Sequence, residues 1–173
     1  MSPSQVNATA GTVLGFLTGG PMSGWDLSQA ITQSIGNFWN VTRSQVYREL
    51  KSLGRQGLVR EVGSRGPRER LAYRITPAGR REFKRWVARD LEDETRRVPV
   101  LLTTFFGDNV PPQRLAAILA AHREVLAEQL AAYRAVEKQL ADHPYPRATA
   151  RYGVAYCRMA IRWIDTEAAA LTP

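Results

Sequence analysis

The sequence predicts a mainly α-helical chain with one small β-hairpin, arranged as two parts that differ in charge. Three observations predict it. Apolar residues recur at three- and four-residue spacing along most of the chain, the period of one helix face. Residues 58–76 break that period with two β-rich runs around a turn. Positive charge is confined to the first half: residues 1–86 hold 13 Lys and Arg against 5 Asp and Glu, whereas residues 87–173 hold 11 of each.

A first helix is predicted over 5–18, with Val6, Val13, Leu14 and Leu17 as its apolar positions. Gly19-Gly20-Pro21 stops it, because Gly and Pro do not sustain a helix. The run ATAGTVLGFL has no basic residue before it and is too short to span a bilayer, so it reads as a core helix rather than a signal peptide. Ser23 with Asp26 three residues on makes a capping-box-like start for a second helix, roughly 23–35. That helix is expected to point Trp25, Leu27, Ile31 and Ile35 inward or at a partner helix, and Gly36-Asn37 ends it. Phe38-Trp39 follows, expected in the core, where it would fix the angle of the next helix by packing.

Thr42 and Gln45 form a capping box by the sequence rule and open a helix over 42–56. Val46, Leu50 and Leu53 give it one narrow apolar face. Ser44, Arg48, Lys51 and Arg55 lie opposite, Tyr47 falls at the flank, and Gly57 is the stop. LVREV and LAYRIT then flank GSRGPRER, a hairpin whose stretch from Arg60 to Arg74 also holds Arg65, Arg68 and Arg70. Thr76-Pro77 supplies an N-cap and a first-turn proline for a helix to about Glu94, with Phe83, Trp86, Val87 and Leu91 on one face. Three helices, two strands and a helix, in that order, describe a winged helix-turn-helix. The turn before its third helix, Gly36 to Val41, is longer than the three-residue turn of the simplest form.

The second half reads differently. A short apolar run, VLLTTFF, precedes a long helix over about 112–142 with a stripe that includes Leu115, Leu119, His122, Leu126, Leu130 and Tyr133. So narrow a stripe on so long a helix suggests packing against other helices, another subunit's included. After His143-Pro144-Tyr145-Pro146, a final helix over about 147–171 carries Tyr152, Tyr156, Met159 and Trp163 on one face, with Ala160, Ile161, Ile164 and Leu171 beside them. An apolar surface this wide exceeds what one partner helix needs. The expectation is a DNA-binding domain over 1–86 and a helical dimerisation domain over 87–173, working as a homodimer.

Composition narrows the function. An apolar share of 44% and a charged share of 23% are ordinary for a globular chain. The lone Cys157 excludes an internal disulfide framework and a Cys-rich zinc site, and is expected as a small buried residue. His122 and His143 are too isolated to suggest a metal, so neither metal nor cofactor is expected. There is no GxSxG, GxxxxGK[ST], HExxH or CxxC, and no paired acid and base, so no enzyme is expected. The expected setting is the bacterial cytoplasm, with no membrane partner.

A net charge of +8 located in one half favours an anionic partner there, double-stranded DNA first. The major groove admits one α-helix, and the N-terminal part of such a helix meets base edges. Arg43, Ser44, Gln45 and Arg48 are therefore the candidates for base contacts. Arg can bond guanine through two hydrogen bonds, and Gln can do so to adenine. Lys51 and Arg55 suit phosphates, Tyr47 can donate its hydroxyl to one, and Arg65 and Arg68 at the hairpin tip suit a neighbouring minor groove or backbone. Trp86, Tyr152, Tyr156 and Trp163 suit core packing. A second reading makes them the lining of a cavity between subunits that takes a flat ligand. The Arg151, Arg158 and Arg162 stripe reads as a solvated or salt-bridged face. A different class of function is also open: a helical adaptor for a protein partner, touching nucleic acid without sequence preference.

GPMSGWDLSQAI (20–31), FWNVTRSQVYREL (38–50), GLV (57–59) and YRITPAGR (73–80) resemble the PadR family of bacterial transcription regulators. RYGVAY (151–156) and the rest of the second half resemble the C-terminal domain of its AphA-like, virulence-activator-alpha branch. The resemblance implies a winged-helix DNA-binding domain, a C-terminal dimerisation domain and palindromic operators. It also implies, for many relatives, repression relieved by a small phenolic or drug-like effector; the AphA-like member is an activator. Tyr47 matches the family tyrosine near the DNA surface. Trp25 stands where the family usually has Tyr, Ser23 where it often has His, and Arg48 replaces a Pro common in one branch, in agreement with the AphA-like branch.

Overall fold

A computed structural model describes residues 6–63, 71–91 and 97–171. The chain divides into two compact units, Met1–Asp93 and Glu94–Pro173, the division falling seven residues past position 86.

The N-terminal unit contains α1 (Ala8–Leu17), β1 (Met22–Ser23), α2 (Gly24–Ile35), α3 (Arg43–Arg55), β2 (Val59–Val62), β3 (Ala72–Ile75) and α4 (Pro77–Val87). Each helix starts where a side chain takes up a free backbone amide. Asn7 accepts from the Ala10 amide, Ser23 from Asp26, Thr42 from Gln45 and Thr76 from Gly79. The end of α3 follows a Schellman pattern. The Gly57 amide donates to Gly54 O at 3.0 Å and the Leu58 amide to Leu53 O at 2.9 Å. Gly57 has φ of +68°, the left-handed conformation that favours glycine there.

The sheet is antiparallel in the order β1-β3-β2. Register pairs Val59 with Ile75 and Arg60 with Arg74, and on the other edge Met22 with Tyr73. The sequence predicts only two strands. The two residues of β1 gain strand geometry from β3, with partners 51 and 49 positions away in register, so no local pattern announces them. Val13, Leu14, Leu17, Leu27, Ile31, Val46, Leu50 and Leu53 close the core, with Val59 and Ile75 from the sheet.

Several expectations change here. Trp25 is exposed, because it lies about 200° round α2 from Leu27 and cannot share its face. Phe38 and Trp39 are exposed at 54% and 39%, walls of an open pocket rather than core. Val41 is the residue of that connection that buries. The fourth helix ends at Val87, leaving Leu91 off its face and exposed.

The C-terminal unit contains α5 (Pro99–Phe105), a 3₁₀ turn (Gly107–Asn109), α6 (Pro112–Gln139) and α7 (Pro144–Trp163). A π segment, Ile164–Ala168, and a 3₁₀ turn, Ala169–Leu171, finish it. The last helix begins at Pro144, a position read as loop from sequence, since a proline is well suited to the first turn. Its buried face is Ala150, Gly153, Val154 and Cys157, small residues that bring α7 close to α6. Of the face expected to pack, Tyr156 and Trp163 are half-buried against that core, whereas Tyr152 and Met159 are exposed. Leu115, Leu119 and Leu126 supply the α6 side of the core.

Candidate nucleic-acid interface

Helix α3 is held from below and free above. Val46, Leu50 and Leu53 are buried, whereas Arg43, Ser44, Tyr47, Arg48, Lys51 and Arg55 are exposed. Arg43, Lys51 and Arg55 form no ion pair with a described residue, and Arg48 meets the neighbouring Glu49 at 3.7 Å. A row of uncompensated cations on a rigid helix is what an anionic partner needs, and a self-contained fold does not.

Gln45 is placed differently from the other readers. Its Oε1 accepts from the Thr42 amide at 2.8 Å and from the Thr42 hydroxyl at 3.0 Å, completing the capping box. A two-bond contact with adenine needs both ends of the amide. Capping occupies the oxygen and leaves Nε2 as the donor available to a base. Both roles were visible in the sequence; geometry shows that they compete.

The Tyr47 ring lies against the start of α2. A Cβ on Gly24 would come within 2.6 Å of it, so only glycine fits beneath that ring. Tyr47 also lines a groove of about 930 Å³ between α3 and the sheet, with Lys51, Arg55, Arg60, Glu61, Tyr73 and Thr76. Burial first, then Glu61 and Tyr47, push the Tyr73 hydroxyl above its usual pKa, so it stays a neutral donor near neutral pH. Exposed Arg60, which also lines that groove, pairs in register with exposed Arg74 directly across the strands. Like charges so paired repel, and an anion between them relieves the repulsion. Strand register makes them a pair, and no local sequence pattern gives that register. Arg65 and Arg68 lie outside the described residues.

The four aromatic candidates for a ligand site are distributed over both units. Trp86 lines a pocket of about 570 Å³ in the N-terminal unit with Phe16, Phe38, Trp39, Phe83 and Arg89. Its ring stacks with Phe83 at 6.2 Å, and the Arg89 guanidinium sits 4.2 Å over it. Tyr156 and Trp163 line a smaller pocket of about 310 Å³ in the C-terminal unit, with His122 and Val100. Tyr152 belongs to neither and is exposed. Among the described residues no His, Cys, Asp and Glu cluster could hold a metal ion, and no helix is long and apolar enough to cross a membrane.

Comparison with known proteins gives this geometry a context. Residues 13–85 match the transcriptional regulator PadR-like family, and residues 96–172 match the virulence activator alpha C-terminal domain. A probable transcriptional regulator of Mycobacterium tuberculosis is 29% identical over 172 residues, covering 86% of this chain and 89% of its own. The structure of the Vibrio cholerae virulence activator AphA superposes with a TM-score of 0.75 at 26% identity, over 95% of this chain and 98% of that one. Bacillus subtilis PadR shares the fold in two complexes. With operator DNA the TM-score is 0.84 at 20% identity, over 95% of this chain and 99% of that one. With p-coumaric acid it is 0.76 at 19% identity, over 96% and 98%. The chain carries a domain of the transcriptional regulator PadR-like family, followed by a domain of the virulence activator alpha C-terminal type.

Proposed function

We propose that this regulator represses transcription by occupying a pseudo-palindromic operator as a homodimer, and that a small aromatic effector releases it. The outward face of α3 carries this reading. Arg43, Ser44 and Arg48, near its start, meet base edges in the major groove, with Gln45 contributing through Nε2. Lys51 and Arg55, farther along, hold phosphates, and Tyr47 reaches one with its hydroxyl. Arg65 and Arg68 take the wing to the neighbouring minor groove or backbone. The N-terminal unit binds DNA and the C-terminal unit joins two copies, which sets the half-sites about one helical turn apart. Exposed Leu102 and Phe105 on α5, with Tyr152 and Met159 on α7, support a second copy as the covering partner.

Support for the effector comes from the pocket around Trp86. Its volume falls in the usual ligand range of about 300–1,000 Å³, and its walls are aromatic. Arg89 adds a positive charge for an acidic substituent. Phe38 and Trp39 stand just ahead of Thr42, so a molecule that displaces them displaces the start of α3. The p-coumaric acid complex of Bacillus subtilis PadR favours the same ligand class. The test is selection of bound duplexes from random DNA, then a screen of small aromatic acids against the recovered complex. An enriched inverted repeat, released by such an acid, is expected. Recovery of no preferred sequence would overturn the reading.

A further inference from the structure

We infer that Asn7 and Glu49 form a clamp that sets the angle at which α3 is presented to DNA. The inference rests on the reading of α3 as the DNA-reading helix. Glu49 lies on the inward side of α3, only 6% exposed, beside Val46, Leu50 and Leu53. A carboxylate in that position interrupts an apolar face and is costly to bury without a partner. Its Oε1 accepts a hydrogen bond from Asn7 Nδ2 at 3.3 Å.

Asn7 is the N-cap of α1, and its Oδ1 accepts from the Ala10 amide at 2.8 Å. That bond fixes the amide's orientation: the oxygen serves α1, and the NH₂ is left to reach Glu49. One side chain thus closes the first turn of α1 and grips the middle of α3, 42 positions away. The start of α1 is also the positive end of its dipole, which favours a carboxylate there.

The same Oε1 lies 3.7 Å from Arg48 Nε, on the reading side of the helix. Glu49 therefore connects the scaffold to a reader. Held by Asn7, its carboxyl stays under the helix. Released from Asn7, it turns to Arg48 and competes with a base for the guanidinium. Base contacts of this kind need positioning to about 0.5 Å, so a small rotation of α3 is enough to lose them.

Two variants of the full chain test the clamp. Asn7→Asp keeps a good N-cap for α1 but sets a carboxylate against Glu49. Asn7→Asp with Glu49→Gln restores the hydrogen bond with donor and acceptor exchanged. Affinity is measured for the duplex selected from random DNA and for a shuffled duplex of the same length. Asn7→Asp is expected to lower the selected-to-shuffled ratio about tenfold while leaving shuffled binding, set by phosphate contacts, nearly unchanged. The double variant recovers the ratio. A role confined to capping α1 predicts no loss in either. An unchanged ratio in Asn7→Asp, or no recovery in the double variant, overturns the clamp. A wild-type chain without any preferred duplex overturns instead the reading of α3 on which the clamp rests.

Discussion

The two units treat apolar surface in opposite ways. Among the described residues, eight of the ten largest fully buried side chains lie in the N-terminal unit, and only Leu126 and Cys157 lie in the C-terminal one. Exposed large apolar residues lean the other way, ten in the C-terminal unit against seven in the N-terminal one. Helix α5 contains no buried residue at all, with Leu102 at 64% and Phe105 at 81% exposure. The N-terminal unit encloses its own core and turns unpaired cations outward. The C-terminal unit is nearer charge balance, with 10 Lys and Arg against 8 Asp and Glu, and leaves hydrophobic faces uncovered. Folding alone explains the enclosed core, though not the outward cations; the uncovered apolar faces make sense when another protein surface completes them.

The sharpest way to break this contrast is to charge the uncovered face. Phe105→Glu adds a charge where the chain itself buries nothing, so the single chain should fold as before. On the proposed reading, light scattering then gives the mass of one chain where wild type gives two. Affinity for a full operator falls by about a hundredfold or more, because the two half-sites no longer bind through one linked pair. A Phe105→Glu chain that still pairs would remove α5 from the interface.

On the N-terminal side the matching experiment separates reading from holding. Arg43→Ala should cost about 1–3 kcal/mol of operator affinity and relax preference at one base position. Lys51→Ala should weaken all duplexes alike and reduce the slope of log affinity against log salt by about one. Equal behaviour of the two variants would mean that α3 holds DNA without reading it.

What could be read in the sequence follows the same division. Helix α3 was legible from start to end, because its signals are local: the Thr42–Gln45 box, the Val46-Leu50-Leu53 stripe and Gly57. The second strand of the hairpin was legible too, whereas β1 was not, since two residues become a strand only through a distant partner. Residue type alone places Phe38 and Trp39 in the core. Their exposure depends on how α1, α2 and α4 leave a pocket between them, which no pattern within residues 38–39 encodes. Gln45 has the residue type of both a cap and a reader, and the two bonds its Oε1 accepts from Thr42 leave that oxygen unable to serve both. In the C-terminal unit the helices and the α6 stripe of Leu115, Leu119 and Leu126 are legible, but the α7 face is legible only in part: Tyr156 and Trp163 pack on the core, and Tyr152 and Met159 do not. Aromatic residues mark an apolar face equally well whether the chain or a partner covers it.

Smaller effects probe how each unit is packed. On α7, a Cβ at Gly153 would lie 2.7 Å from the Tyr133 ring, so Gly153→Ala forces two closely packed helices apart. Overpacking of this kind costs about 1–3 kcal/mol, read as a lower midpoint in denaturant. Gly54→Ala on α3 meets no atom within 4 Å, and there alanine should stabilise by up to about 1 kcal/mol through helix propensity. Opposite signs are expected from one substitution type, and a loss in both would show that α3 is less free than its surroundings suggest.

The smallest expected effect concerns the pair that joins α6 to the π segment. Arg123 Nε and Nη2 donate to Asp165 at 2.6 and 3.2 Å. The hydrogen bond from Arg123 holds the Asp165 carboxyl below its ordinary value, with the guanidinium charge adding to it. A carboxyl depressed in the folded state stabilises fully above its unfolded value of about 3.9 and loses that contribution as pH falls through the folded value. The two side chains are 40% and 43% exposed, so water and salt screen them and the effect is modest. Asp165→Asn should therefore lower Tm slightly near pH 6, and the gap from wild type should close as the solution is acidified below the carboxylate range. High salt should narrow the gap at pH 6 as well. A gap that persists unchanged in acid would assign Asp165 a packing role in the π segment instead of an ionic one. The thinly buried unit would then be held at this end by shape alone.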